Sequence, residues 1–93
     1  MNEKTVEQKL VRVVKARGGI CPKFTSPGTN GMPDRLVLLR GGRMGFVELK
    51  APGKKPRPIQ ERRMHELRQL GFFVAVVDGV EQIRGVLDEI QAT

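Results

Sequence analysis

The stretch GMPDRLVLLRGGRMGFVELK, residues 31–50, decides the fold. Two apolar runs, RLVLLR and MGFVELK, flank Gly41-Gly42, and this pattern predicts a β-hairpin. Asp34 precedes the first run, and Glu48-Leu49-Lys50 closes the second. Because alternate residues of a strand share a face, Glu48 and Lys50 point the same way. The hairpin therefore places an acid beside a lysine.

The length of the hairpin loop determines whether Asp34 joins these two side chains. A two-residue loop at Gly41-Gly42 would pair Asp34 with Leu49 and direct the carboxylate to the other face. A three-residue loop of Gly41, Gly42 and Arg43 would pair Asp34 with Lys50 and bring Asp34, Glu48 and Lys50 together. We predict the three-residue loop or an equivalent bulge.

The chain before the hairpin predicts a helix and a short strand. Apolar residues from Val6 to Val14 recur at helical spacing, which indicates an amphipathic helix over about 3–17 with Asn2 or Thr5 as its cap. After Gly18-Gly19, the segment ICPKFTS predicts a first strand, in which Pro22 favours an edge or an irregular start. SPGTNGMP has the composition of a loop.

The chain after the hairpin predicts a second loop, a helix, a strand and a last helix. Pro58 suits the first turn of a helix that runs to Leu70. FFVAVVD is typical of a strand buried on both faces, and Asp78 with Glu81 can cap the final helix. The order α-β-β-β-α-β-α predicts an α/β fold, a mixed β-sheet with a central hairpin flanked by helices, in one domain over residues 1–93.

The charge of the chain favours a polyanionic partner. Its 17 Lys and Arg residues against 10 Asp and Glu residues give a net charge of +7, which suits nucleic-acid phosphates. With four Phe and no Trp or Tyr, stacking of splayed bases is poorly supported, so duplex DNA is the expected ligand. A core of this size is small, so we expect a homodimer.

The composition also excludes several classes of protein. No apolar run approaches the roughly 20 residues of a spanning helix and no signal segment opens the chain, so we expect a cytoplasmic protein without a membrane partner. The single Cys21 and single His65 exclude an intrachain disulfide and a zinc cluster. No pattern indicates a small-molecule substrate.

Carboxylates at converging strand ends predict a divalent-metal site. Asp34 and Glu48 would supply oxygens to Mg²⁺ or Mn²⁺, and the carbonyl of Leu49 could add another. Glu7 lies within the apolar arc of the first helix and would be a third acid, although an acid in a first turn can simply favour the helix dipole. Lys50 would orient or deprotonate the attacking water and stabilise developing charge.

These residues carry a resemblance to a known family. Pro33-Asp34 followed by Glu48-Leu49-Lys50 resembles the PD-(D/E)xK nuclease motif, and SPGTNGMPD with FVELKAPGKKPRPIQ resembles the virus-type replication-repair nuclease (VRR-NUC) family. The resemblance implies a restriction-endonuclease-like core and metal-dependent phosphodiester cleavage of DNA. Stand-alone members of this length look like phage or bacterial proteins and resemble homodimeric Holliday-junction resolvases in build.

The resemblance also assigns individual residues. Asp34 and Glu48 match the metal carboxylates, Lys50 the catalytic lysine, Glu7 the helix-borne acid, and Gln60 the glutamine of the helix after the core strands. Related exonuclease branches have a tyrosine four residues beyond that glutamine. Here the position is Met64, which makes end-processing exonuclease activity less supported.

Two sets of polar residues could have either a local or a functional role. Gln60 shares a helical face with Met64 and Leu67, so it either makes hydrogen bonds at the helix start or serves the active site. Basic and hydroxyl side chains near the motif are either solvated or bind DNA phosphates. These candidates for DNA binding are Lys23, Ser26, Lys54, Lys55, Arg57, Arg62 and Arg63.

Two functions fit the sequence. The first is a structure-selective DNA endonuclease that depends on Mg²⁺ or Mn²⁺ and acts in replication, recombination or repair. The second is a non-catalytic basic module that binds nucleic acid, whose acids only relieve local repulsion. Asp34, Glu48 and Lys50 distinguish them, since only the first function needs these side chains to lie together.

Overall fold

A three-stranded mixed sheet lies at the centre of the computed structural model, which describes residues 2–93. The strands lie in the order β1-β2-β3, with β1 and β2 antiparallel and β2 and β3 parallel. The elements are α1 (Glu3–Ala16), β1 (Arg35–Leu39), β2 (Arg43–Leu49), α2 (Pro58–Gln69), β3 (Val74–Val77) and α3 (Ile83–Gln91). The predicted α/β fold with a hairpin flanked by helices is confirmed.

The segment predicted as the first strand forms only isolated bridges to β1. Ile20 pairs with Leu38, and Lys23 pairs with Arg35, in one antiparallel register. Leu36 N donates to Pro22 O, but Pro22 has no N–H to donate in return. The ladder is therefore interrupted, and the order along the chain is α-β-β-α-β-α rather than the predicted α-β-β-β-α-β-α.

The hairpin loop has three residues, as predicted, but it lies one residue earlier. Leu39 pairs with Arg43, so the loop is Arg40–Gly42 rather than Gly41–Arg43. Gly41 and Gly42 both have positive φ, at 80° and 73°, a conformation that suits glycine. Extending the register beyond Arg35 and Val47 places Asp34 opposite Glu48 instead of Lys50. Because the loop has an odd number of residues, Asp34 still lies on the same face as Glu48 and Lys50.

The two faces of the sheet are covered by different helices. On one face, α1 and α3 bury apolar side chains against Val37, Val47 and Leu49. On the other face, which we call the α2 face, Met64 and Leu67 of α2 pack on Phe46 and Val74. Because Glu48 alternates with Val47 and Leu49, its side chain projects into the α2 face.

The helix caps agree with the sequence in one case and differ in another. Asn2 caps α1, because its side chain accepts a hydrogen bond from Thr5 N. The predicted cap of the last helix by Asp78 and Glu81 is wrong. Asp78 instead exchanges two hydrogen bonds with Gln82, and a short 3₁₀ turn precedes α3. None of the helices in residues 2–93 is long and apolar enough to cross a membrane.

Candidate active site at the end of the hairpin

Asp34 closes the open end of the β1–β2 ladder with its side chain. Its Oδ2 accepts a hydrogen bond from Leu49 N at 3.0 Å. Extending the register places Pro33 opposite Leu49, and a proline has no N–H to donate to the Leu49 carbonyl. The Pro33-Asp34 pair thus fixes the aspartate at the strand end and leaves the Leu49 carbonyl without a ladder donor.

Glu48 is a buried carboxylate on the α2 face. Its side chain is 1% exposed, and Oε2 accepts from Lys50 Nζ at 3.1 Å and from Gln60 Nε2 at 2.9 Å. Oε1 is also buried, and within residues 2–93 no donor reaches it. A buried oxygen without a partner is unfavourable by about 1–3 kcal/mol, so this atom indicates a missing proton or cation.

Burial raises the pKa of Glu48 above its ordinary value of 4.5. The negative charge of Asp34 raises this pKa further, and a hydrogen bond that Asp34 can share with the protonated acid acts in the same direction. Lys50 opposes both through its hydrogen bond and its charge. The carboxylate of Asp34 and the ammonium group of Lys50 therefore lie close enough to Glu48 to influence its protonation.

Gln60 makes both of the contacts that the sequence left as alternatives. Its Oε1 accepts from Arg57 N at 2.8 Å, which stabilises the start of α2, while its Nε2 donates to Glu48. Gln60, Met64 and Leu67 are the buried residues of α2, as their helical spacing predicts. The helix start and the carboxylate are thus held by one side chain.

The loop before Asp34 is anchored to α2 by close backbone packing. Gly31 has φ of 81°, and a Cβ on it would lie 2.7 Å from Ile59 O, so a larger residue would push the loop away from the helix. Arg63 Nε donates to Asn30 O at 3.0 Å, and its Nη1 pairs with Glu66. These contacts hold the loop before Asp34 against α2 and commit Arg63 to an anchoring role in this structure.

Glu7 is not brought to the other two acids. Its Oε2 accepts from Arg35 Nη2 at 3.0 Å and from Arg35 Nε at 3.2 Å. Arg35 Nη1 also donates to Cys21 O, which fixes the guanidinium on the α1 side of the sheet. The sequence missed this partner, although Arg35, one residue after Asp34, must point to the opposite face and hence toward α1.

The remaining candidates for DNA binding lie on three parts of the chain. Lys54, Lys55 and Arg57 are exposed on the segment that follows β2, and Arg62 is exposed on α2. Lys23 is exposed on the segment beside β1, and Ser26 is half-buried in the loop that leads to Asp34, where its carbonyl accepts from Thr29 N. Their side chains, unlike that of Arg63, make no ion pair or hydrogen bond within the described residues.

The donor set fits one hard divalent cation that also binds substrate and water. No group of three or more His, Cys, Asp or Glu side chains clusters within residues 2–93. Mg²⁺ commonly takes only one or two carboxylates and completes its shell with water and phosphate oxygens. Asp34, the unpartnered Oε1 of Glu48 and the Leu49 carbonyl provide such a partial shell.

A hairpin that gathers an aspartate, a glutamate and a lysine against a helix-borne glutamine defines a nuclease domain of the PD-(D/E)xK class. The chain belongs to the VRR-NUC family, whose domain model matches residues 2–81. It is a nuclease by this membership.

Similar proteins support this assignment. "Putative nuclease p44" of Acyrthosiphon pisum secondary endosymbiont phage 1 is 50% identical over 78 residues, which are 84% of each chain. A solved VRR-NUC domain superposes with a TM-score of 0.86 at 33% identity and covers 92% of this chain and 94% of its own. A second, a VRR-NUC domain protein, covers 99% of this chain and 89% of its own with a TM-score of 0.78, and at 17% identity shows the fold alone.

Proposed function

We propose that this nuclease is an Mg²⁺- or Mn²⁺-dependent DNA endonuclease that hydrolyses phosphodiester bonds. The observation that carries the proposal is Glu48 Oε1, a buried carboxylate oxygen beside Asp34 that has no donor among the described residues. A fold that only needed to relieve repulsion between basic side chains would leave its acids at the surface. Two carboxylates near a lysine and a buried glutamine suit metal-assisted hydrolysis instead.

Each residue has a distinct task in this proposal. A bound cation supplies charge neutralisation at the scissile phosphate and a lower pKa for its water. Asp34, Glu48 and the Leu49 carbonyl would hold it. Lys50 orients the attacking water and stabilises developing negative charge. Gln60 fixes Glu48 in one rotamer through the 2.9 Å hydrogen bond.

Glu7 joins the site only if it leaves Arg35. Its carboxylate is half-buried in the ion pair, with 24% of its side chain exposed against 14% for Arg35. An acid on α1 could turn toward the strand ends when a cation and a phosphate change the local charge. We assign Glu7 this conditional role.

The basic residues position the DNA backbone. Lys54, Lys55 and Arg57 follow β2, and Lys23 and Arg62 complete a positive rim to which Ser26 adds a hydroxyl. Arg63 joins this rim only if it leaves Asn30 and Glu66. Such contacts read no bases, so selectivity comes from the shape of the DNA. Two active sites held at a fixed separation in a homodimer suit branched DNA. We propose that the enzyme acts in replication, recombination or repair. Its location would be the cytoplasm of a bacterium, or of the bacterial host if it is a phage protein.

A cleavage assay on a panel of DNAs tests this function. Labelled four-way junctions, flaps and linear duplexes are incubated with Mg²⁺, with Mn²⁺, or with EDTA. Internal cuts in a branched substrate that need the cation support the proposal. Stable binding of every substrate without cleavage in either cation would instead identify a non-catalytic nucleic-acid-binding module.

A further inference from the structure

A cleft of about 590 Å³ lies on the α2 face, between α2 and the end of β3. Its lining includes the cations of Lys54, Lys55 and Arg68. It also has an apolar floor that the half-buried Val76 mostly supplies, since Met64 is only 2% exposed. Its volume lies within the roughly 300–1,000 Å³ of pockets that take small ligands. The catalytic constellation does not line this cleft, so it is a second feature of the same face.

The cleft begins one strand away from the candidate active site. Val76 pairs with Glu48 in the parallel register of β2 and β3. Neighbouring strands lie about 4.8 Å apart, and paired residues share a face. A strand of DNA whose phosphate lies at Glu48 and Asp34 can therefore place an adjoining nucleotide in the cleft.

The outer edge of β3 adds backbone hydrogen-bonding groups to the cleft. Val77 O accepts from Lys50 N, so the alternation of the ladder directs the N–H and C=O of Val76 away from β2. Arg68 Nη2 donates to Val74 O, and Gln82 Oε1 accepts from Asp78 N, which occupies the edge on both sides of Val76. Within residues 2–93, no partner takes the outward groups of Val76.

This combination of groups favours a nucleotide over other occupants. An inorganic anion would use the cations but not the apolar floor, and the acids Glu61 and Asp78 at the same cleft weaken a purely anionic site. An added β-strand would need several free edge residues, whereas Arg68 and Gln82 leave only Val76. A nucleotide carries a phosphate, an apolar face and a donor–acceptor base edge together.

We propose that the cleft holds one unpaired nucleotide next to the scissile phosphate, with its phosphate at Lys54 and Lys55, its base on the Val76 side chain, and its base edge at the Val76 backbone. The inference rests on the proposed DNA cleavage and specifies its substrate. A base inside a duplex cannot enter such a cleft without leaving the stack, so a nucleotide that is already unpaired binds more easily. The substrate class is then DNA with an unpaired residue at the cut, as in a flap, bulge or branch point.

A titration without metal tests the cleft independently of cleavage. Thymidine 5′-monophosphate and inorganic phosphate are each added to the ¹⁵N-labelled protein in EDTA, and amide shifts are followed up to tens of millimolar. We expect the nucleotide to shift the Val76 amide with those of Lys54 and Lys55, and phosphate to leave Val76 unchanged. No nucleotide-dependent shift at Val76, or equal shifts with phosphate, overturns the proposal.

DNA binding by matched variants supplies the second arm. In an Asp34→Asn background that prevents cutting, we compare Lys54→Ala/Lys55→Ala with Lys4→Ala/Lys15→Ala, which removes the same charge from α1. The cleft variant should lose affinity for a duplex with one unpaired nucleotide by at least about fivefold more than for the blunt duplex. The α1 variant should weaken both equally.

These two arms separate failure of the cleft from failure of the proposed function. An equal loss of affinity for both DNAs in the cleft variant overturns the nucleotide site even if the wild-type enzyme cuts DNA. A selective loss supports the site even if no cleavage is ever seen.

Discussion

Gln60 Nε2 donates to Glu48 Oε2 at 2.9 Å, and the same amide accepts from Arg57 N through its oxygen. One buried side chain therefore couples the first turn of α2 to the carboxylate of β2. The contact leaves the second oxygen of Glu48 without a donor within residues 2–93. The proposed cation site depends on this arrangement, and each of its side chains can be changed separately.

Gln60→Glu should impair both stability and activity. A second buried carboxylate at this point repels Glu48, raises its pKa further and loses the amide donor. We expect a destabilisation of about 1–3 kcal/mol and a cleavage optimum moved to higher pH. Urea unfolding and a pH–rate profile measure both effects. Gln8→Glu, on the exposed part of α1, is the control, and an unchanged profile in Gln60→Glu would count against the proposed role of the amide.

Asp34→Asn should remove cleavage and leave the fold intact. The asparagine oxygen can still accept from Leu49 N, so the strand end keeps its hydrogen bond while the negative charge is lost. We expect a fall in rate of about a hundredfold or more. The control is Asp88→Asn, which removes an exposed aspartate that pairs with Arg17 on the opposite face. Equal rates for the two variants would exclude Asp34 from the chemistry.

Glu48→Gln should raise stability at neutral pH in the absence of metal. The folded-state pKa of Glu48 lies above its ordinary value of 4.5, so the folded protein binds the proton more tightly than the unfolded chain. Its contribution to the free energy of unfolding therefore decreases as pH rises from the unfolded to the folded pKa. Glutamine does not titrate, so the variant does not lose free energy of unfolding over this pH range.

Thermal unfolding from pH 4 to 8 in EDTA measures the effect. We expect the Tm of Glu48→Gln to exceed that of the wild type by about 2 °C or more at pH 7–8 and to converge with it near pH 4. Added Mg²⁺ should raise the Tm of the wild type and not that of the variant. A variant that is less stable at every pH would contradict the raised pKa as the cause.

Lys50→Ala should separate catalysis from DNA binding. Lys50 lowers the pKa of Glu48 by its charge and its hydrogen bond, so its removal should move cleavage to higher pH as well as reduce the rate. Affinity for DNA should fall only as far as in Lys15→Ala, which removes one exposed charge from α1. Fluorescence anisotropy and single-turnover cleavage measure the two quantities. A loss of binding that accounts for the whole loss of rate would assign Lys50 to the DNA interface.

The sequence predicted the face shared by Asp34, Glu48 and Lys50, because strand alternation and loop parity are local rules. It placed the three-residue loop one position late, since either Arg40 or Arg43 can flank two glycines with positive φ. The first strand was overpredicted because a single missing N–H at Pro22 interrupts the ladder.

Contacts between residues far apart in sequence cannot be predicted from strand alternation, helical spacing or loop length. The partner of Glu7 is Arg35, and the anchor for Arg63 is Asn30 O, and both lie about 30 residues away in sequence. The cleft beside β3 depends on how α2 crosses the sheet, which periodicity alone does not determine. Helical spacing predicts that Gln60 shares the inward face of α2. Its two hydrogen bonds, to Arg57 N and to Glu48, also require the start of α2 to lie against β2, which the spacing does not determine.

Calorimetric titration of Mn²⁺ into the metal-free protein tests most directly whether Asp34 and Glu48 form a cation site. We expect a saturable heat of binding in the wild type and in Asp88→Asn, and its loss in Asp34→Asn and in Glu48→Gln. Binding of equal strength in all four proteins would show that the cation lies elsewhere. No binding in the wild type, together with cleavage that persists in EDTA, would contradict metal-dependent hydrolysis at this site.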